Sequence, residues 1–276
     1  MWATLAVSAV LAAAPADAGA LQIKNEHFTY GLFGPERKDT KVIPGDILML
    51  AFDVDGLTIK DDGTITYTTA MELLNDKGKS EFKEDPVERT VVNALGGSHL
   101  PCWSRISIGG DVPAGEYTVR VTVADKGTKN GPSAMVERKF TVVPPTFGII
   151  VPMLNYDKPP AAPPPAPPLA VPGQQFLFFC GVVGFDVKPG KTPQDNLQTD
   201  VTLELTILDE SGKPTPVKPF TGSLKAVTPE EKAFWGTSFP LSLNRAGKFT
   251  VVVTATDKQG NKTAKVEFPL TVVDVK

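Results

Sequence analysis

The chain has 276 residues, of which 41% are hydrophobic and 21% charged, enough apolar material for packed cores and too little charge for a disordered polyelectrolyte. A formal charge of −3 excludes the basic footprint of a nucleic-acid binder. Two cysteines exclude a disulfide scaffold, and 26 Pro with 24 Gly favour short elements punctuated by turns over long helices.

Between Trp2 and Ala20 the only charged residue is Asp17, and the run Leu5 to Ala14 is apolar. That run is shorter than the roughly 20 residues a membrane span needs. Ala16-Asp17-Ala18 and Ala18-Gly19-Ala20 both fit the small-residue pattern of signal cleavage. Residues 1–20 are therefore expected to be a signal peptide. The remainder is expected to be extracytoplasmic, periplasmic or secreted, with no membrane span.

Beyond the signal, Phe28 to Gly34 reads as a first strand, followed by the turn Pro44-Gly45. Leu48, Leu50, Phe52 and Val54 then recur with the period of a half-buried strand. Asp53, Asp55, Asp61 and Asp62 gather around Gly56. Asp53-Val54-Asp55-Gly56 superficially resembles a calcium loop but lacks the order and the distal Glu of an EF-hand, so no metal is assigned. Met71 to Leu74 reads as a strand ended by the turn Asn75 to Gly78. Asp85-Pro86, with Val87, Val91 and Leu95 at helical spacing and Gly96 as a stop, predicts a short helix. His99 and Cys102 have a ligand-like spacing, but a zinc site needs three or four ligands and no other Cys or His is near. Trp103 falls just before the next strand, where an exposed indole would stack on a sugar ring and a packed one would cap a core. Tyr117, Val119, Val121 and Val123 then alternate with polar residues as a strand.

Val143 to Thr146, containing Pro144-Pro145, reads as a short linker that restricts relative motion. After it the pattern is written again. Ala170 to Phe178 matches Val42 to Leu50, Gly184-Phe185 matches Gly56-Leu57, and Leu205 to Lys213 matches Met71 to Lys79. Ala246 to Thr254 matches Ala114 to Thr122, and both copies continue into Asp-Lys and close on Thr-Val-Val. On this alignment Phe147 to Met153 corresponds to Phe28 to Gly34. Eight of the fourteen residues from Pro159 to Pro172 are proline. The alignment puts this tract in an elongated loop between the first two strands of the second copy, where it packs over the apolar Leu177 and Phe179 or docks in a proline-recognising groove. Cys180 takes the core-facing position of Phe52, which predicts a buried, inert thiol and disfavours a Cys102–Cys180 disulfide between the copies. Thr228-Pro229-Glu230-Glu231 is a capping-box start that predicts a second short helix, stopped by Gly236. Trp235 precedes a strand, as Trp103 does.

The string at Gly115 to Asp125 and again at Gly247 to Asp257, Gly-x-Tyr/Phe-x-Val-x-Val-x-Val/Ala-x-Asp, resembles the penultimate strand of bacterial immunoglobulin-like and fibronectin-III-like sandwiches. The Cys-Trp-Cys arrangement of antibody domains is absent from it. The fold expected is all-β, two tandem antiparallel Ig-like β-sandwich domains over 21–144 and 145–276, each with at most a short connecting helix. The resemblance implies a surface, adhesion or accessory role and carries no functional residues.

Ser98-His99 adjacency makes no catalytic triad and G-x-S-x-G is absent, so no enzyme and no cofactor is expected. The function expected is an exported, non-enzymatic tandem Ig-like protein acting in binding, adhesion or envelope structure. Its partner would be a protein or a cell-envelope or carbohydrate ligand, with Trp103 and Trp235 as candidate contacts. The alternatives are a two-domain periplasmic assembly chaperone, similar in layout to pilus chaperones, and a carbohydrate-binding accessory protein.

Overall fold

The computed structural model describes residues 20–156, 170–190, 192 and 196–274. The expected signal peptide, apart from Ala20, and the proline tract up to Leu169 lie outside the described residues. Fifteen strands run in chain order, with no helix among the described residues. The first eight are β1 (Gln22–Thr29), β2 (Lys41–Val42), β3 (Ile47–Asp55), β4 (Thr64–Asn75), β5 (Ser80–Val92), β6 (Leu100–Ser107), β7 (Gly115–Asp125) and β8 (Ser133–Val142). The remaining seven are β9 (Gly148–Tyr156), β10 (Gln175–Val183), β11 (Leu197–Asp209), β12 (Phe220–Val227), β13 (Phe234–Ser242), β14 (Gly247–Asp257) and β15 (Lys262–Val272).

The first eight strands form sheets ordered β1-β3-β6 and β2-β8-β7-β4-β5. Strand alternation turns Leu48, Leu50, Phe52 and Val54 of one sheet toward Tyr117, Val119, Val121 and Val123 of the other, all buried in one apolar cluster. The last seven form β9-β10-β13 and β12-β11-β14-β15 around a second cluster that includes Phe176, Phe178, Cys180, Val182, Val251, Val253 and Ala255. Both sandwiches share one device. The chain leaves β1 and crosses to pair in parallel with β8, and Ala170 pairs in parallel with Val272 in the same place. At the start of β7 the Tyr117 hydroxyl donates to the Pro113 carbonyl (2.9 Å), the tyrosine corner of Ig-like sandwiches.

The repeat is visible atom by atom. Asn75 and Asp209 each accept backbone N–H bonds through Oδ1 from residues two and four further on, at 3.0 Å in all four cases. Pro44-Gly45 and Pro172-Gly173 make the same turn, with Gly45 at φ +97° and Gly173 at φ +94°, a region open to glycine. Asp125 and Asp257, both buried, end β7 and β14 alike. Each clamps the backbone beyond the Gly56-Leu57 or Gly184-Phe185 pair: Asp125 Oδ2 accepts from Thr58 N (3.1 Å), and Asp257 Oδ2 from Asp186 N (2.8 Å).

Three sequence-based expectations are corrected. Asp85 to Val92 lies in β5, not a helix, and pairing slips between Thr69–Val87 and Met71–Glu84, so Asp85 and Pro86 fall in a bulge. An edge-strand bulge tolerates the missing proline N–H. The capping box at Thr228 does form, with Glu231 N 3.3 Å from Thr228 Oγ1, but it closes consecutive turns. Only six residues, all outside regular structure, separate β12 from β13, and Gly236 pairs with Gly181 inside β13. Lastly, Ile23 pairs with Val54 as Ile149 pairs with Val182, and Phe28 with Leu50 as Leu154 with Phe178. Phe147 therefore corresponds to Leu21 and not to Phe28. The stretch from β9 to β10 is then close in length to the one from β1 to β3, so the proline tract is distinctive in composition more than in length.

Candidate functional site

Residues 143–147 join β8 to β9, and a set of packed side chains ties the two sandwiches together there. The Asp46 carboxylate, following the Pro44-Gly45 turn, accepts from its neighbour Ile47 N (2.8 Å) and from Val151 N across the junction (2.9 Å). Its other oxygen pairs with Arg37 Nη1 at 2.8 Å, and the two side chains are only 10% and 2% exposed. Val151 holds φ +51°, an outlier for a β-branched residue, at the bulge where β9 slips against β10. Nearby, a Cβ on Gly148 would overlap Ile43 Cδ1, so the Ile43 side chain packs directly against the backbone at a glycine. Tyr30 reaches across to the C-terminal core, its ring 5.6 Å from that of Phe268. Arg37 in turn stacks over Tyr30, 5.5 Å from the ring centre.

Beside these contacts opens a groove of about 870 Å³. One wall is the outer face of β1-β3-β6, with Ile47, Met49, Trp103 and Arg105. The opposite wall is β9 from Val151 to Tyr156 and β15 from Phe268 to Thr271, and the loop Tyr30 to Pro35 forms an end. Strand pairing explains why Trp103 and Met49 share a wall. Trp103 faces Ala51 and Arg105 faces Met49 across β3–β6, all on the face turned away from the core. Arg89 from β5 lies over the Trp103 ring at 5.6 Å.

Further along the same sheet face, His99 sits between two of the expected acidic residues. Its Nδ1 is 3.0 Å from Asp55 Oδ1 and its Nε2 is 3.6 Å from Asp53 Oδ1. Lys24 pairs with Asp55 (3.0 Å), and Asn25 donates to Asp53 (2.8 Å). Lys24 and His99 together hold the Asp55 carboxyl below its usual range.

The sequence-predicted residues thus separate into groups. Trp103, Asp53 and Asp55 share one sheet face. Asp61 and Asp62 do not join them; they precede β4 in the turn, where Asp62 Oδ1 accepts from Thr64 N (2.9 Å), and the Thr64 side chain, then its backbone N–H, hold the Asp62 carboxyl below its ordinary range. Trp235 belongs to the other sandwich and pairs with the core residue Val182, so its ring turns inward where that of Trp103 turns outward. Both tryptophans lie within strands, β6 and β13, and not before them. Among the described residues no group of three or more His, Cys, Asp or Glu could hold a metal ion. Cys102 and Cys180 are buried free thiols in separate cores. Burial pushes Cys102 up to about 11 and Cys180 up to about 12, which keeps both protonated and unreactive.

Reading along the sequence missed Tyr30, Arg37, Asp46, Arg105 and the bridging position of His99. One signal for Asp46 existed: it matches Gln174 after a Pro-Gly pair, so a polar residue recurs at a strand entry. The His99–Asp55 pairing had none, because β3 and β6 are neighbours in space but have two strands between them in sequence.

No family model and no curated relative matches the chain. Among solved structures, red sea bream transglutaminase is 10% identical, with TM-score 0.29 over 93% of this chain and 32% of its own, so the chain spans about a third of that enzyme's length. The C-terminal domain of the Streptococcus agalactiae AgI/II polypeptide BspA is 9% identical, with TM-score 0.26 over 90% of this chain and 99% of its own. A β-galactosidase-like protein from Bacteroides fragilis is 15% identical, with TM-score 0.33 over 92% of this chain and 41% of its own. Likenesses this slight carry no functional weight. The assignment to tandem antiparallel sandwiches rests on strand pairing and packing within the chain.

Proposed function

We propose that this chain is exported and acts, without catalysing a reaction, in binding, adhesion or envelope structure, with the junction groove as its ligand surface. The observation that carries the reading is the groove itself. Its volume, about 870 Å³, lies in the range of ligand pockets, and its lining is aromatic and aliphatic with few polar groups. Tyr30, Trp103 and Tyr156 offer rings, Met49 and Met153 offer adaptable apolar contact, and Arg105 offers a charge. Arg37 also lines the groove, but its guanidinium is committed to Asp46.

Within this reading a carbohydrate ligand is favoured by one arrangement. Trp103 is half-buried with its ring turned outward, and Asp53, Asp55 and His99 follow on the same sheet face. A ring to stack on and carboxylates to accept from hydroxyls are the groups that sugar recognition uses. Among the described residues an assembly chaperone would have Arg105 alone in the groove to anchor a client carboxylate.

The test is a glycan array and immobilised envelope fractions probed with the full chain and with Trp103→Ala, each checked for β structure by circular dichroism. The expected result is saturable binding that weakens about tenfold or more in the variant. Equal binding by both proteins would remove the groove from the account.

A further inference from the structure

A second cleft, of about 670 Å³, lies in the N-terminal sandwich between β5 and β6, where the two sheets part. Among the described residues each of these strands pairs on one side only, β5 with β4 and β6 with β3. The floor is apolar, with Met71, Leu73, Ile106 and Tyr117, and Phe82 stands on the edge at 53% exposure. Among the described residues five carboxylates surround that floor, those of Asp76, Glu81, Glu84, Asp111 and Glu116, against the single guanidinium of Arg105. Glu81 is approached by Lys79 at 3.5 Å, and Glu116 accepts from Thr141 Oγ1. The other three have no ion-pair partner among the described residues.

In the second sandwich aromatic side chains stand at the corresponding edge. There Trp235 and Phe239 of β13 reach to within 3.7 Å of where a Cβ on Gly222 of β12 would stand. Strand register makes Ser104 the counterpart of Phe239, since Ser104 faces Leu50 as Phe239 faces Phe178. The same register makes Glu84 the counterpart of Phe220, since Glu84 faces Met71 as Phe220 faces Leu205. Aromatic bulk in one copy is thus replaced by a hydroxyl and a carboxylate in the other. Inward-pointing charge on an edge strand also guards against aggregation, and with the Pro86 bulge that accounts for Glu84. It does not account for Asp76, Asp111 and Glu116, which lie on β7 and the adjoining loops.

We infer that this cleft binds a cationic, extended peptide segment in which Lys or Arg alternates with apolar side chains. Alternation sends one row of side chains to the Met71–Ile106 floor and the other to the carboxylates, matching the cleft in shape and charge. The site is separate from the junction groove, although Arg105 borders both.

The experiment titrates the full chain into fluorescein-labelled ten-residue peptides and follows anisotropy. The probes are Lys-Leu, Lys-Gly and Glu-Leu alternating peptides. Only Lys-Leu is expected to bind tightly, more weakly as salt rises. Glu81→Lys with Glu84→Lys, both on the exposed strand, is expected to weaken it by about tenfold or more. Ser104→Phe, which brings the second copy's aromatic ring against the floor residue Met71 (Ser104 Oγ lies 3.3 Å from its Sδ) without altering charge, is expected to do the same. Because that variant adds bulk to a core-facing position, its folding is checked by circular dichroism, and the charge-reversed pair decides if it fails to fold. Absence of Lys-Leu binding, equal affinity for Lys-Gly, or undiminished binding by the charge-reversed protein would overturn the proposal.

Discussion

Asp257 is the side chain on which the end of β14 depends. Fully buried, it accepts from Asp186 N at 2.8 Å, Gln259 N at 3.0 Å and Gly260 N at 3.1 Å. Asp257→Ala would strand three backbone donors away from water, and the expected loss is roughly 3 kcal/mol of stability, read from urea unfolding. A loss near zero would show that water replaces the carboxylate. Surface carboxylates act differently, through pH. Asp55 is held low by Lys24 and then His99, Asp200 by Lys225, and Asp209 by Ser211. A depressed folded value means that the stabilisation is complete above the unfolded carboxylate value of about 4 and is lost as pH falls through the folded value. The urea midpoint is therefore expected to hold from neutral pH to about 5 and to drop below about 4, with a smaller drop in Asp55→Asn.

At the scale of elements, the Pro-Gly turn is a backbone requirement and not a packing one. A Cβ on Gly173 would meet nothing within 4 Å, so Gly173→Ala isolates the cost of φ +94°. That cost is expected to be about 1 to 2 kcal/mol, largely recovered in Gly173→Asn, which tolerates left-handed backbone. Equal stabilities of the Ala and Asn variants would contradict it. Strands of this kind were legible in the sequence because period-two burial is local: every residue expected to face inward in β3, β7 and β10 is buried. Helices were misread where a local signal met a longer constraint. Val87, Val91 and Leu95 have helical spacing, yet β4 offers Thr64 to Leu74 as a pairing edge, and the chain takes that edge with a bulge at Pro86. The register of β1 was misread by seven residues because Phe28 and Phe147 are both aromatic, and only pairing with β3 and β10 separates them. The site was less legible still. Its walls come from strands far apart in the chain, and its buried pair, Arg37 with Asp46, looks in sequence like two surface charges.

For the whole molecule, function as proposed depends on the junction being one preformed surface. Asp46 joins Arg37 to Val151 N, Tyr30 packs on Phe268, and Gly148 admits Ile43, so the groove walls are fixed by contacts from both sandwiches. Removing one partner of a buried ion pair costs about 3 to 5 kcal/mol, because the other charge is left without compensation. Asp46→Ala is therefore expected to release the junction while both cores persist. The most direct measurement is residual dipolar coupling of backbone amides in weakly aligned full-length protein, fitted separately for β1–β8 and β9–β15. A fixed junction predicts one alignment tensor, equal in orientation and magnitude for both halves, which splits into two in Asp46→Ala. Two different tensors in the unaltered protein would mean that the walls move independently, and would contradict a preformed groove.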